Sequence, residues 1–126
     1  MKYFYKWAYS LQSKVLTNLK YELSYAKGYQ VIFTGHSLGG AMAAIMAYFA
    51  KINGVTNHVV LLTFGQPRTG NDVFNNEVMK VVDKVFRVVR SGDIVPTIPF
   101  SIIINSPRFR DSKLIIVMFP EMIWQK

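Results

Sequence analysis

Cysteine is absent from this chain of 126 residues, so the protein can form neither a disulfide bond nor a cysteine-based zinc site. The absence leaves the redox compartment undetermined. Acidic residues are also scarce, with seven Asp and Glu against fifteen Lys and Arg, which gives a formal net charge of +8. Because the basic residues are scattered along the chain and form no block, this charge predicts a basic surface and not a nucleic-acid-binding site.

Long apolar runs are missing as well. The most apolar stretches, 41–50 and 114–119, are far shorter than the roughly twenty residues needed to span a bilayer, so we expect no transmembrane segment. Lys6 interrupts the apolar start of the chain, so we expect no signal peptide there, and the localisation stays unknown. Hydrophobic residues nevertheless make up 51% of the sequence, which predicts one core and one domain or a fragment of one.

Segments with helical periodicity alternate with short apolar runs. Apolar residues spaced by three or four predict an amphipathic helix over 4–23, with Trp7 and Leu11 on its apolar stripe. The other predicted elements are strands at 30–34, 58–64 and 84–89 and helices at 38–52 and 71–82. The apolar residues of the first strand form a continuous run rather than alternating with polar ones, so we expect the strand to be buried on both faces.

This order of elements predicts an α/β fold, with a parallel sheet covered by helices on both faces and with ligand sites at the carboxyl ends of the strands. Beyond Pro99 the pattern becomes irregular, and 102–104 and 114–119 are predicted to be strands separated by a polar stretch.

The sequence Gly-His-Ser-Leu-Gly at 35–39 lies where a predicted strand meets a predicted helix. It fits the G-x-S-x-G nucleophile elbow, which presents Ser37 at the edge of the sheet. On so tight a turn we expect Gly35 and Gly39 to be required because they crowd each other. The unpaired backbone N–H of Leu38 would lie where an oxyanion forms. The alternative is a glycine-rich turn that binds phosphate, although the phosphate-loop lysine is missing.

Asp93 follows the third strand and is therefore predicted to lie at the same carboxyl edge as Ser37. There it would orient an imidazole by accepting its N–H. The alternative is a loop aspartate that caps a turn before Pro96. Asp72 is a rival acid, but its position beside Asn71 at the start of a helix favours capping.

Three phrases together resemble the class 3, or fungal-type, lipases of the α/β-hydrolase superfamily. They are Gly-His-Ser-Leu-Gly-Gly-Ala at 35–41, Thr-Phe-Gly-Gln-Pro-Arg-Thr-Gly-Asn at 63–71 and Asp-Ile-Val-Pro at 93–96. The resemblance covers roughly residues 2–99, and it implies a partial α/β-hydrolase core at 1–99 followed by a divergent tail of the same domain at 100–126.

The resemblance also implies a site and a substrate. It makes Ser37 the nucleophile, Asp93 the catalytic acid and the N–H of Leu38 one oxyanion donor. It further implies hydrolysis of carboxylic esters, commonly acylglycerols, without a metal or organic cofactor. The expected partner is a lipid or ester substrate, including one presented at a membrane or micelle interface.

A base for this chemistry is not evident. The chain has two histidines, His36 and His58. His58 opens the second strand, roughly 20 Å from the edge where Ser37 lies, and His36 is expected to point away from the serine hydroxyl. The family's histidine follows its aspartate, but 116–119 is apolar here. Besides an esterase, the sequence therefore fits a non-catalytic lipase-like protein that binds lipid or a partner, or an incomplete gene product without the family's early strand, second oxyanion donor and lid.

Overall fold

The computed structural model describes residues 2–26, 28–97 and 114–118, with side chains from residue 6 to residue 97 except residue 27. The described elements, in chain order, are α1 (Lys2–Tyr25), β1 (Val31–His36), α2 (Leu38–Ile52), β2 (Val59–Phe64), α3 (Asp72–Val81), β3 (Lys84–Arg90), a 3₁₀ turn (Val95–Thr97) and β4 (Leu114–Met118). The predicted strand at 102–104 lies outside the described residues.

One sheet holds the four described strands in the order β1-β2-β3-β4. The first three are parallel, with His36 of β1 beside Phe64 of β2 and Phe64 beside Val88 of β3. Their carboxyl ends therefore lie at the same edge. The strand β4 pairs antiparallel with β3. The predicted α/β class and parallel sheet core are confirmed.

The helix α2 lies between the sheet and α1. Its small residues, including Ala43, Ala44 and Ala47, pack on Val59 and Leu61 of β2 together with residues of α3. Its other side, including Ile45 and Phe49, packs against α1. A helix that is apolar on most of its circumference is stable only when both sides are covered, and this layer arrangement covers them.

The prediction of helices on both faces is wrong for the described part of the chain. All three helices belong to one side, because α2 packs on the sheet and both α1 and α3 pack on α2. On the other side, which we call the open face, Ile32, Thr34 and His36 of β1 lie in register with Val60, Leu62 and Phe64 of β2. Within the described ranges no helix covers this face.

The prediction that the first strand is buried on both faces is also wrong. Along β1, half-buried and exposed residues alternate, and Ile32 is 57% exposed. The cause is position: β1 lies at the edge of the described sheet, and only its alternate residues, such as Phe33, face the helices. An apolar run does not distinguish a strand covered on both faces from one whose second face is open.

The helix predicted over 4–23 is present, but its buried stripe is shifted. Trp7 and Leu11 are 49% and 48% exposed, whereas Ala8 and Leu16 are buried against α2. The small side chain of Ala8 lets the two helices approach closely, and the bulky Trp7 is turned toward solvent. No helix among the described residues is long and apolar enough to cross a membrane.

Candidate active site

Ser37 lies at the point where β1 ends and α2 begins. Its backbone has φ 52° and ψ −123°, and it is the one non-glycine residue with positive φ in the described part of the chain. Its N–H donates to the carbonyl oxygen of Phe64 at 2.9 Å, which ties the bend to the end of β2. This conformation is costly for a residue with a side chain and persists only where the surroundings impose it.

The Ser37 hydroxyl does not cap the helix that it precedes. Serine at an N-cap position usually accepts a hydrogen bond from a backbone N–H of the first turn. In α2 that side-chain bond is not made; instead the N–H groups of Gly40 and Ala41 donate to the carbonyl oxygen of Ser37, at 3.0 and 3.3 Å. The hydroxyl is thus available to another group. The N–H of Leu38, in the first helical position, points out of the helix end with no carbonyl of the helix to accept it.

The glycines of the bend are not equivalent. A Cβ on Gly35 would collide with the carbonyl group of Gly39, as the crowding argument predicts. A Cβ on Gly39 itself would meet nothing within 4 Å, so the expectation that both positions require glycine is wrong for Gly39. Gly40 is the second tight position, because its Cβ would lie 3.2 Å from Cβ of Gln66 and 3.3 Å from Cβ of Thr63.

Asp93 lies in the loop after β3, and its two carboxylate oxygens face different neighbours. Oδ1 accepts the N–H of Val95 at 2.9 Å, which is the turn-capping bond considered as its alternative role. Oδ2 faces Gly65, where an added Cβ would lie 3.0 Å from it and 3.6 Å from Nε2 of His36. Gly65 has φ 53° and directly follows Phe64, the acceptor of the Ser37 N–H. The carboxylate therefore caps its own loop and also reaches the edge that carries Ser37.

An open cleft of about 670 Å³ lies at this edge on the open face. Its lining residues come from the ends of all three parallel strands: His36, Phe64, Gly65, Val88, Arg90, Ser91, Gly92 and Asp93. The imidazole of His36 thus shares the cleft with the carboxylate of Asp93. His58 does not: it precedes β2, and its carbonyl oxygen accepts the N–H of Val31 at the opposite end of the sheet.

Asp72 is not among the residues that line this cleft, and it lies on the first turn of α3. The N-cap of that helix is Asn71, whose Oδ1 accepts the N–H of Phe74 at 3.0 Å. Asp72, the next residue, is exposed and places its charge near the positive end of the helix dipole. The charge of Asp72 stabilises the helix terminus, whereas Asn71 makes the capping hydrogen bond.

Sequence reasoning missed a polar network behind the bend. The buried hydroxyl of Thr63 donates to Oε1 of Gln66 at 2.6 Å, and Nε2 of Gln66 donates to the hydroxyl of Thr69 at 2.7 Å. The network fixes the loop that begins at Gly65, and its side chains close around Gly40. The side chains of Thr63, Gln66 and Thr69, all in the phrase at 63–71, therefore stabilise the conformation of one loop.

Arg87 extends that network to the loop of Asp93. Its Nη2 donates to the carbonyl oxygens of Gln66, at 2.6 Å, and Pro96, at 3.2 Å. Burial lowers the pKa of Arg87, and the like charge of Arg68 lowers it further. The available signal was a cation in the middle of the otherwise apolar run 85–89, which sequence reasoning did not use.

The described ranges contain no cluster of three His, Asp or Glu side chains that could hold a metal ion. The imidazole of His36 and the carboxylate of Asp93 line the cleft, and the hydroxyl-bearing Ser37 directly follows His36 at the end of β1 without being one of the lining residues. These are the group types of serine-based acyl transfer.

Comparison with known proteins gives relatives that are lipases. The chain is 42% identical over 79 residues to a lipase of Caenorhabditis elegans, covering 61% of this chain and 22% of that protein. It is 38% identical over 90 residues to a secreted mono- and diacylglycerol lipase of Fusarium solani, covering 68% of this chain and 26% of the relative. The chain thus spans about a quarter of the length of these relatives or less.

Solved structures agree with the sequence relatives. The triacylglyceride lipase of Rhizomucor miehei superposes with a TM-score of 0.75 at 31% identity, over 80% of this chain and 39% of the lipase. A triacylglycerol lipase whose catalytic centre is formed by a serine protease triad gives a TM-score of 0.73 at 32% identity, over 79% of this chain and 38% of that one. Because the family model for class 3 lipases also matches residues 1–102, the chain belongs to the class 3 lipase family and has the α/β-hydrolase type of fold.

Proposed function

We propose that this chain carries the nucleophile-bearing part of a carboxylic ester hydrolase that acts on lipid esters of the acylglycerol class. In this proposal Ser37 is the nucleophile, the backbone N–H of Leu38 donates to the oxyanion, and Asp93 is the acid partner of an imidazole. The substrate class is taken from the relatives, which include lipases of mono-, di- and triacylglycerols.

The conformation of Ser37 is the observation that carries the proposal. A serine with φ 52° at a strand-to-helix junction, with a hydroxyl that does not cap the helix, has a strained backbone and an unused functional group. Strain of this kind is concentrated at functional sites because elsewhere it would be lost to a less costly residue. A glycine would adopt the same backbone more readily, so a requirement for the hydroxyl explains the serine.

The proposed reaction has two steps. Oγ of Ser37 adds to the ester carbonyl carbon, and the carbon–oxygen bond to the alcohol breaks as the alcohol leaves with a proton. Water then adds to the acyl-serine, which releases the carboxylic acid and restores the hydroxyl. In both steps negative charge develops on the former carbonyl oxygen, where the N–H of Leu38 would stabilise it.

A base must accept the serine proton, and this is where the chain departs from a complete triad. Neither histidine occupies the family's position after the aspartate. His36 shares the cleft with Asp93, but it is adjacent to Ser37 in the chain and lies on the open face of β1. Without a well-placed base we expect turnover about 10⁴ to 10⁶ times slower than that of a complete triad, leaving the contributions of binding and the oxyanion site.

A fluorophosphonate probe tests the nucleophile directly, because it reports attack by the serine without requiring turnover. We expect slow covalent labelling of the folded chain at Ser37, located by peptide mass spectrometry. Ser37→Ala abolishes the label. The matched control is Ser24→Ala, since Ser24 is an exposed serine on α1 whose hydroxyl bonds to the carbonyl oxygen of Tyr21. Labelling that survives Ser37→Ala would contradict the proposal.

A second candidate is a lipase-like protein that binds lipid without hydrolysing it. It is favoured by the apolar side chains of the open face, where Ile32 and Phe64 are 57% and 41% exposed. Binding of the folded Ser37→Ala variant to phosphatidylcholine vesicles, together with failure of the parent chain to react with the probe, would support this candidate. Probe labelling at Ser37 excludes it as the whole function.

A further inference from the structure

Arg90 is the only arginine or lysine among the described residues that line the cleft of the candidate active site. It ends β3, two residues after Val88, and alternate residues of a strand project from the same face of a sheet. Val88 lies in register with Phe64 on the open face, so Arg90 projects from this face as well. The strand geometry therefore places a guanidinium beside the cleft.

The exposed guanidinium of Arg90 makes no hydrogen bond or ion pair with another residue in the described part of the chain. Asp93, the acidic residue of the cleft, is engaged elsewhere: its Oδ1 accepts the N–H of Val95, and its Oδ2 faces Gly65. Within these residues the donors of Arg90 are therefore unused. Their planar arrangement matches the oxygens of a phosphate or a carboxylate.

Arg90 lies within the reach of a single lipid molecule from Ser37. Ser37 follows the end of β1, Arg90 ends β3, and β2 lies between these strands. Two strand spacings and one residue along the strand place their Cα atoms about 10 Å apart. The glycerol unit of a phospholipid joins its ester groups to its phosphate through a few bonds. One such molecule can therefore present an ester to Ser37 and a phosphate to Arg90.

We propose that Arg90 is a specificity-determining residue, which selects acylglycerol esters that carry a phosphate group over neutral ones. The phosphate accepts hydrogen bonds from the guanidinium, and an acyl chain lies against the apolar side chains of Phe64 and Val88 in the cleft. The net charge of +8 adds a general attraction for anionic lipids. Because the ester is the substrate of the reaction assigned to Ser37, this role of Arg90 rests on the proposed function.

Short-chain lipids that differ in the phosphate test this role. The ¹⁵N-labelled Ser37→Ala chain, which lacks the nucleophile, is titrated with dihexanoyl phosphatidic acid, with dihexanoylglycerol and with glycerol 3-phosphate, at constant ionic strength and below micellar concentrations. Phosphatidic acid should move the amide signals of Gly65 and Gly92 in the cleft and should bind about ten times more tightly than either of the others. Unmoved signals, or equal affinity for either of the others, would overturn the proposal.

Two further substitutions, each combined with Ser37→Ala, locate the phosphate. Arg90→Gln removes an exposed cation, so the fold should survive, and the affinity for phosphatidic acid should fall about tenfold while that for dihexanoylglycerol stays unchanged. Lys84→Gln is the matched control, because it removes the same charge from an exposed residue at the other end of β3, and it should leave both affinities unchanged. Unchanged affinity in Arg90→Gln, or an equal loss in both variants, would overturn the proposal.

Failure of this proposal is distinguishable from failure of the proposed function. Probe labelling of Ser37 in the parent chain, together with equal affinity for the charged and the neutral lipid, would keep the nucleophile and overturn the role of Arg90. Absence of labelling, together with the tenfold preference and its loss in Arg90→Gln, would overturn hydrolysis and leave Arg90 as the phosphate-binding residue of a lipid site.

Discussion

Gly35 and Gly39 approach so closely that a Cβ on Gly35 would overlap the carbonyl group of Gly39. We predict that Gly35→Ala lowers the free energy of unfolding by about 2 kcal/mol or more, because the colliding atoms belong to the backbone and cannot rotate away. Chemical denaturation at pH 7 measures this loss, and probe labelling at Ser37 should fall in the same variant because the bend is displaced.

The matched control is Gly39→Ala. A Cβ at Gly39 would meet nothing within 4 Å, and alanine is the better helix former by about 1 kcal/mol. We therefore expect Gly39→Ala to leave stability unchanged or to raise it. Equal destabilisation by the two substitutions would show that a Cβ is excluded at both positions and not only at Gly35.

The backbone of Ser37 predicts an unusual order of stability among its variants. Glycine adopts a positive φ without strain, whereas alanine keeps the Cβ of serine. After the extra chain entropy of glycine in the unfolded state is subtracted, we expect Ser37→Gly to be about 1 kcal/mol more stable than Ser37→Ala. Thermal and chemical unfolding of the two variants would measure the difference. If alanine were the more stable, the strain at the bend would be smaller than the entropic cost of glycine.

The two hydrogen bonds of Arg87 predict that it positions the loop of Asp93. In Arg87→Met the carbonyl oxygens of Gln66 and Pro96 lose their donor, which we expect to cost about 2 kcal/mol of stability. Amide hydrogen exchange at Val95, whose N–H bonds to Asp93, should accelerate more than exchange in β2. Arg87→Lys keeps one donor group and should restore part of the protection. Uniform acceleration across the chain would indicate general destabilisation instead.

Asp83 predicts a pH dependence of stability. Burial raises the pKa of its carboxyl, but the N–H of Val59 and the ammonium of Lys51, at 2.7 and 3.0 Å from Oδ2, outweigh burial and leave the pKa below its usual value. The carboxylate therefore stabilises the fold above about pH 4, and this contribution is lost as the pH falls through its lowered pKa.

Asp83→Ala should accordingly cost about 1 to 2 kcal/mol at pH 7, because the N–H of Val59 loses its acceptor, and the difference from the parent chain should shrink at pH 2 to 3. Urea denaturation at each pH measures it. Glu77→Ala removes an exposed carboxylate paired with Lys80 and should have almost no effect at either pH. A loss at Asp83 that did not change with pH would show that the charge is irrelevant.

The local elements followed from the sequence because their signals are local. Apolar residues on one side predicted α1 and α3, and a high content of strong helix formers predicted α2. Short apolar runs predicted the parallel strands to within one or two residues. The motif at 35–39 fell on a strand-to-helix bend because glycine and serine in that order describe the backbone of the turn itself. The motif selected Ser37, and Asp93 was selected because it lies in the loop after a predicted strand and parallel strands end at one edge.

Other features were decided only by the tertiary structure, because they depend on which surfaces meet. The sequence of β1 does not indicate that one of its faces is left open. The apolar stripe of α1 does not indicate that Ala8 packs against α2 while Trp7 is exposed. Gly35 and Gly39 look alike in the chain, and only the path of the backbone makes one of them crowded. Periodicity specifies that a face is apolar, whereas the three-dimensional arrangement specifies what covers it.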